Sequence, residues 1–217
     1  MSLSLFHLVR EPQIPAAKSP VLILLHGYGS NEEDLFSFAP QLPPEYLVIS
    51  VRAPYALPPY GNAWYAIDFD ADMNKFSDNV QAAESRDRIV KFIGDLPKHY
   101  DVDKDDVTLV GFSQGSILSY AVALSYPHCV RRVAALSGYL NMDLLIEGYR
   151  NNDFKRLDFY ISHGTQDQVI PVEWARQAKP ALDELGIRSI YREYPVGHGV
   201  APQNFYDLLD WLSATRT

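Results

Sequence analysis

Cysteine is nearly absent from this 217-residue chain: Cys129 stands alone and has no internal partner for a disulfide. Behind Tyr126-Pro127-His128 it reads as a small buried hydrophobe, not a nucleophile. Long apolar runs are missing as well. The longest purely aliphatic stretch, Val21 to Leu25, is far below the roughly 20 residues that cross a bilayer. Met1 to Arg10 alternates like a strand and lacks the charged start and apolar core of a signal peptide. These features predict a cytoplasmic protein with no integral membrane association. Positive charge is also short. With 19 Lys and Arg against 27 Asp and Glu, the net charge is −8. That balance, without any basic run, excludes nucleic acid as an expected partner. It also disfavours firm attachment to anionic membranes. No Cys/His pairing suggests zinc, and no glycine-rich loop ends in a phosphate-binding lysine. Asp68-Phe69-Asp70-Ala71-Asp72 lacks the spacing and terminal glutamate of a calcium loop and reads as a solvated acidic loop. Neither a metal nor a cofactor is expected.

What is present is an ordinary globular composition, 47% hydrophobic and 21% charged. The length fits one domain, 1–217, that buries about 70% of its unfolded surface. Apolar strands are predicted at 3–10, 20–26, 46–51, 107–112, 130–136, 158–163 and 188–194. Helices are predicted near 31–39, 78–98, 114–125, 172–185 and 202–214. In the helix near 78–98, Val80, Ala83, Val90 and Ile93 fall at mixed spacing and define no single stripe. Alternating strands and helices imply an α/β fold with a mostly parallel sheet covered on both faces. Two segments, 52–77 and 138–157, read as irregular. The length leaves no room for a large cap domain, so an open, shallow site with an acyl groove between these two loops is expected.

The chemistry concentrates at Gly111-Phe112-Ser113-Gln114-Gly115. An apolar strand (Val107-Thr108-Leu109-Val110) precedes it and a helical segment follows, the context of a nucleophile elbow. The strand-to-helix turn is tight enough that both flanking positions must be glycine. It lifts the Ser113 hydroxyl over the sheet edge, at a helix N-terminus that favours developing negative charge.

A serine needs a base to take its proton. Partners follow in the order Ser, Asp, His. Asp167 lies in the loop after the run Phe159-Tyr160-Ile161-Ser162-His163-Gly164. His198 lies in Pro195-Val196-Gly197-His198-Gly199, after the strand Ser189 to Tyr194. Asp153, Asp158 and Glu173 are weaker acidic candidates, since none follows a strand end as closely. Oxyanion donors are assigned to the backbone N–H of Gln114 and to that of Tyr28, in the glycine-rich turn His26-Gly27-Tyr28-Gly29. His26 and His163 read as loop-shaping residues, and His7, His99 and His128 as surface or packing residues. Trp64, Tyr65 and Tyr139 are candidates for lining the substrate site.

Taken together, Leu25-His26-Gly27-Tyr28-Gly29, Gly111-Phe112-Ser113-Gln114-Gly115, His163-Gly164-x-x-Asp167-x-Val169-Ile170-Pro171 and Gly197-His198 resemble the phospholipase/carboxylesterase family, the acyl-protein thioesterase-like branch of the α/β-hydrolases. The likeness covers roughly residues 18 to 214. It implies an α/β-hydrolase fold and cofactor-free hydrolysis of carboxylic esters, lysophospholipids or S-acyl thioesters. It further implies Ser113, Asp167 and His198 as catalytic residues, Tyr28 and Gln114 as oxyanion donors, and Trp64 in a substrate-side loop. The chain departs from the pattern at Asn31-Glu32-Glu33-Asp34-Leu35 and at Ser116, where a third glycine is common.

The expectation is a serine carboxylesterase acting on short- to medium-chain esters, its partner a small-molecule or lipid ester, in a monomer or homodimer. A lysophospholipase or S-acyl thioesterase would use the same residues. A serine peptidase or a non-catalytic binding module is a more distant alternative.

Overall fold

The computed structural model describes residues 3–14, 16–69 and 75–214, the side chains at 68, 69, 75 and 76 apart. Among them, seven strands form the main sheet: β1 (His7–Arg10), β2 (Ser19–Leu25), β3 (Leu47–Val51), β4 (Val102–Phe112), β5 (Arg132–Leu136), β6 (Asp158–Gly164) and β7 (Arg188–Tyr194). Their spatial order is β1-β3-β2-β4-β5-β6-β7. Every pairing is parallel except β1 against β3. The helices are α1 (Glu33–Phe36), α2 (Asn79–Asp95), α3 (Gln114–Ser125), α4 (Val172–Arg176), α5 (Ala178–Glu184) and α6 (Pro202–Ala214).

Strand periodicity divides the apolar side chains between two cores. In β2, Val21, Ile23 and Leu25 point to one face and Leu22 and Leu24 to the other. The first core is filled by α2, α3 and α5 through Ile89, Phe92, Leu118, Val122 and Leu182. The second is closed by α1 and α6 through Leu35, Phe205, Leu208, Trp211 and Leu212. The central strands are buried on both faces and read in sequence as continuous apolar runs.

Several elements differ from their sequence expectation. β1 starts at His7, because it pairs only as far as β3 reaches, from His7 opposite Val51 to Arg10 opposite Val48. β4 begins five residues early, at Val102, where Ser19 of β2 recruits a charged segment into the sheet. The helix expected over 172–185 is broken at Gln177 into α4 and α5. Pro180 has no N–H to give the Arg176 carbonyl, so the helix cannot run through unbroken. α2 buries Ala82, Ser85, Arg86, Ile89, Phe92 and Ile93, whereas Val80 is exposed. Two of those inward residues are polar, which is why hydropathy defined no stripe: the Ser85 hydroxyl donates to the Trp64 carbonyl, and Arg86 Nη1 donates to the Leu144 carbonyl at 2.6 Å. Segment 52–77 contains two short antiparallel ladders, Tyr55–Ala56 with Asn62–Ala63 and Ile67–Phe69 with Lys75–Ser77. The acidic run 68–72 falls largely outside the described residues, and the expectation for it stays untested.

Candidate active site

β4 ends in the elbow. Ser113 adopts φ 53° and ψ −116°, a backbone conformation that side chains rarely tolerate. A Cβ on Gly111 would overlap the Gly115 carbonyl oxygen, and one on Gly115 would overlap the Leu25 carbonyl oxygen. Both glycines are therefore required by contact between β2, β4 and α3. The first bond of α3 runs from the Ile117 N–H to the Ser113 carbonyl at 3.0 Å. The Gln114 N–H precedes it and is one of the end amides with no acceptor inside the helix.

The loops after β6 and β7 bring the other two groups to this point. His198 Nε2 lies 3.0 Å from Ser113 Oγ, and His198 Nδ1 lies 2.7 Å from Asp167 Oδ2. An ionised carboxylate only accepts, so Nδ1 carries the proton and Nε2 faces the serine hydroxyl as acceptor. The Asp167 side chain is fully buried, while 17% of the His198 side chain remains exposed. Burial alone would push the Asp167 carboxyl up. The Ile170 and Val169 amides, 2.9 and 2.8 Å from Oδ1, together with His198 outweigh burial and hold it below the usual aspartate range.

Asp167 has a further partner that sequence reasoning assigned only to loop shape. His163 Nε2 is 2.9 Å from the Ile170 carbonyl and 3.2 Å from Asp167 Oδ2. A carbonyl accepts, so this nitrogen bears the proton, and the buried Nδ1 has no hydrogen-bond partner. His163 thus braces the turn after Asp167 through the Ile170 carbonyl and sets its ring beside the carboxylate. Its spacing of four residues ahead of Asp167 was visible, but nothing in the sequence aimed its ring. Ser137, at φ 49° just past β5, adds a tie to the His198 loop by donating to the Gly199 carbonyl at 3.3 Å.

On the other side, Gln114 does more than supply an amide. Its Oε1 accepts from the Trp64 N–H at 3.0 Å, and its Nε2 donates to the Tyr65 carbonyl at 2.8 Å. Trp64 is completely buried, and its indole N–H donates to the His26 carbonyl at 2.9 Å. His26 Nε2 accepts from the Ala53 N–H at 3.0 Å, so its proton sits on Nδ1, facing the Gly27 carbonyl at 2.7 Å. Burial lowers the His26 pKa and keeps the ring neutral. The turn that carries the Tyr28 amide is therefore fixed from both sides. Its neighbours are occupied: the Gly29 N–H by the Asn62 carbonyl and the Ser30 N–H by the Gly27 carbonyl.

A cavity of about 270 Å³ opens over Ser113, with His198, Gln114 and Tyr28 on its border. Tyr65 and Tyr139 line it, and both hydroxyls are hydrogen-bond partners of Ser77. Trp64 does not line it. The expectation of a substrate-contacting Trp64 is corrected to a strut beneath the wall, since its indole is consumed by the His26 carbonyl. The expected groove between segments 52–77 and 138–157 is corrected too. The second segment contributes only Tyr139 to the lining, and the missing wall is Val169, Ile170 and Trp174. The exposed aromatic three residues past Pro171 was the available signal. Among the described residues no cluster of His, Cys, Asp or Glu could hold a metal ion, and no helix is long and apolar enough to cross a membrane.

Comparison with known proteins places the chain in a family. Residues 8–216 match the family model described as Phospholipase/Carboxylesterase. The chain is 30% identical over 112 residues to a probable carboxylesterase SOBER1-like of Arabidopsis thaliana, a match covering 51% of this chain and 43% of that protein. It thus spans less than half the length of that relative. It is 26% identical to acyl-protein thioesterase 1 of Emericella nidulans, with 92% of each chain covered. The crystal structure of esterase PE8 superimposes with a TM-score of 0.80 at 25% identity, covering 98% of this chain and 99% of that one.

Proposed function

This chain belongs to the phospholipase/carboxylesterase family, and from that membership and the site geometry we propose that it is a serine carboxylesterase acting on short- to medium-chain esters. The observation that carries the reading is the unbroken chain of hydrogen bonds from Ser113 through His198 to Asp167 at the floor of an aromatic-walled cavity.

In the proposed reaction Ser113 Oγ attacks the ester carbonyl carbon while His198 Nε2 takes its proton. The carbonyl oxygen becomes an oxyanion held by the Tyr28 and Gln114 amides. Loss of one such donor typically costs about 2.7–4 kcal/mol of transition-state stabilisation. The tetrahedral species collapses, the C–O bond to the alcohol breaks, and His198 returns the proton to the departing oxygen. Water then gives a proton to His198 and attacks the acyl-Ser113, releasing the acid and restoring the serine. Asp167 stays ionised throughout, fixing the imidazole and stabilising its cation.

A second reading, an S-acyl thioesterase with the same residues, draws support from the full-length likeness to a protein named acyl-protein thioesterase 1. Hydrolysis of p-nitrophenyl esters from acetate to palmitate, by wild type and Ser113→Ala, tests both. The mutant is expected to lose kcat by on the order of 10⁶-fold. A wild-type optimum at short chains supports the carboxylesterase. An optimum at long chains transfers the case to the thioesterase and lysophospholipase readings. Wild type inactive on every ester, and unlabelled by a fluorophosphonate while folded, would sink the enzyme hypothesis.

A further inference from the structure

Two aromatic side chains, Tyr139 and Trp174, border the cavity over Ser113. Tyr139 and Trp174 meet edge to face, with centroids 5.1 Å apart and planes at 68°. The same two rings border a second groove of about 330 Å³ that runs over Leu140, Asn141 and Met142. Two spaces of similar size, about 270 and 330 Å³, thus share one aromatic pair as a border. The inner one falls just below the roughly 300–1,000 Å³ of pockets that enclose drug-sized ligands, so it suits a short acyl group. The outer one is lined by the apolar Leu140 and Met142 together with the polar Asn141, Asp143 and Gln177.

The two members of the pair differ in how they are held. The Tyr139 hydroxyl is engaged by Ser77, and its ring is packed against the core. Trp174 sits on α4 with 48% of its surface exposed. Val172 and Ala175 of the same helix are buried. The helix is therefore anchored by residues other than the indole, which stands as a removable partition.

We propose that Trp174 is a specificity-determining residue that ends the acyl site, and that the groove over Leu140 and Met142 is its blocked extension, able to take the distal methylenes of a longer linear acyl chain. The inference rests on the esterase reading above. Each methylene moved from water into the extension is worth about 0.8 kcal/mol, about a fourfold gain in kcat/KM.

The test is kcat/KM for p-nitrophenyl esters of even chain length from acetate to laurate. Four proteins are compared: wild type, Trp174→Ala, Trp174→Phe, and Trp174→Ala combined with Met142→Trp. Wild type is expected to decline once the acyl chain fills the inner cavity. Trp174→Ala should keep rising by about fourfold per methylene over several more carbons, while Trp174→Phe retains the wild-type profile. Refilling the groove with Met142→Trp should return the optimum to short chains. Wild-type activity with an unchanged profile in Trp174→Ala overturns this inference alone, as does a lengthened profile that Met142→Trp leaves unaltered. A wild type inert on every ester overturns it together with the esterase reading. Thermal melting of each variant verifies the fold, and Trp174→Val replaces Trp174→Ala if the latter melts early.

Discussion

Asp167 accepts from two amides and from the His198 imidazole, and each bond favours its ionised form. The carboxyl is held below its ordinary value, so its contribution to stability follows a definite direction with pH. It is complete above the unfolded aspartate pKa near ~3.9 and is lost as pH falls through the lower folded value. Asp167→Asn should therefore flatten the stability curve measured by urea unfolding between about pH 5 and pH 2. A steep acid limb that survives the substitution would place that proton uptake elsewhere. The same variant is expected to lower kcat by about 10⁴-fold, because the amide no longer selects the Nδ1–H tautomer of His198.

At the scale of elements, the elbow is a contact between three of them. Gly115→Ala would drive a methyl group into the Leu25 carbonyl, separating β2 from α3. A loss of about 1–3 kcal/mol in urea unfolding is expected, with slowed fluorophosphonate labelling of Ser113. Wild-type stability and labelling would show that the backbone yields without cost. This element was legible in sequence because tight packing leaves only glycine as a solution. So were β2, β3, β5 and β6, whose burial on both faces writes continuous apolar runs. The Ser113, Asp167 and His198 positions were legible for a related reason: each follows a strand end. What stayed hidden depends on through-space partners. Pro180 splits a helix that periodicity joined. Ser85 and Arg86 point inward because the Trp64 and Leu144 carbonyls receive them. Trp64 was taken as a surface for substrate when its indole is bound to the His26 carbonyl.

For the molecule as a whole, the sheet separates two apolar cores that share its strands. Neither core can be dismantled without exposing the opposite faces of β2, β3 and β4. The chain is accordingly predicted to unfold as one domain. Tryptophan fluorescence and far-UV circular dichroism should trace coincident denaturation curves, with calorimetric and van't Hoff enthalpies equal. Two separated transitions would divide it into independent units. The charge of −8 belongs to this scale too. It predicts weak retention on anionic vesicles at low ionic strength, where the repulsion is least screened.

The turn from Asp167 to Trp174 carries two duties in eight consecutive positions. Its first half grips the carboxylate through the Val169 and Ile170 amides, and its second half presents the indole that walls the cavity. Adaptation of such a protein to new substrates would have to proceed here by exchanging side chains at constant loop length. An inserted or deleted residue would shift the wall and misplace the carboxylate in the same step. A laboratory lineage selected for larger esters should therefore accumulate point changes in this turn and reject length changes. Its tolerance for length variation should instead appear at Leu140 to Asn152, a stretch that borders the groove but holds none of the proton-transfer groups.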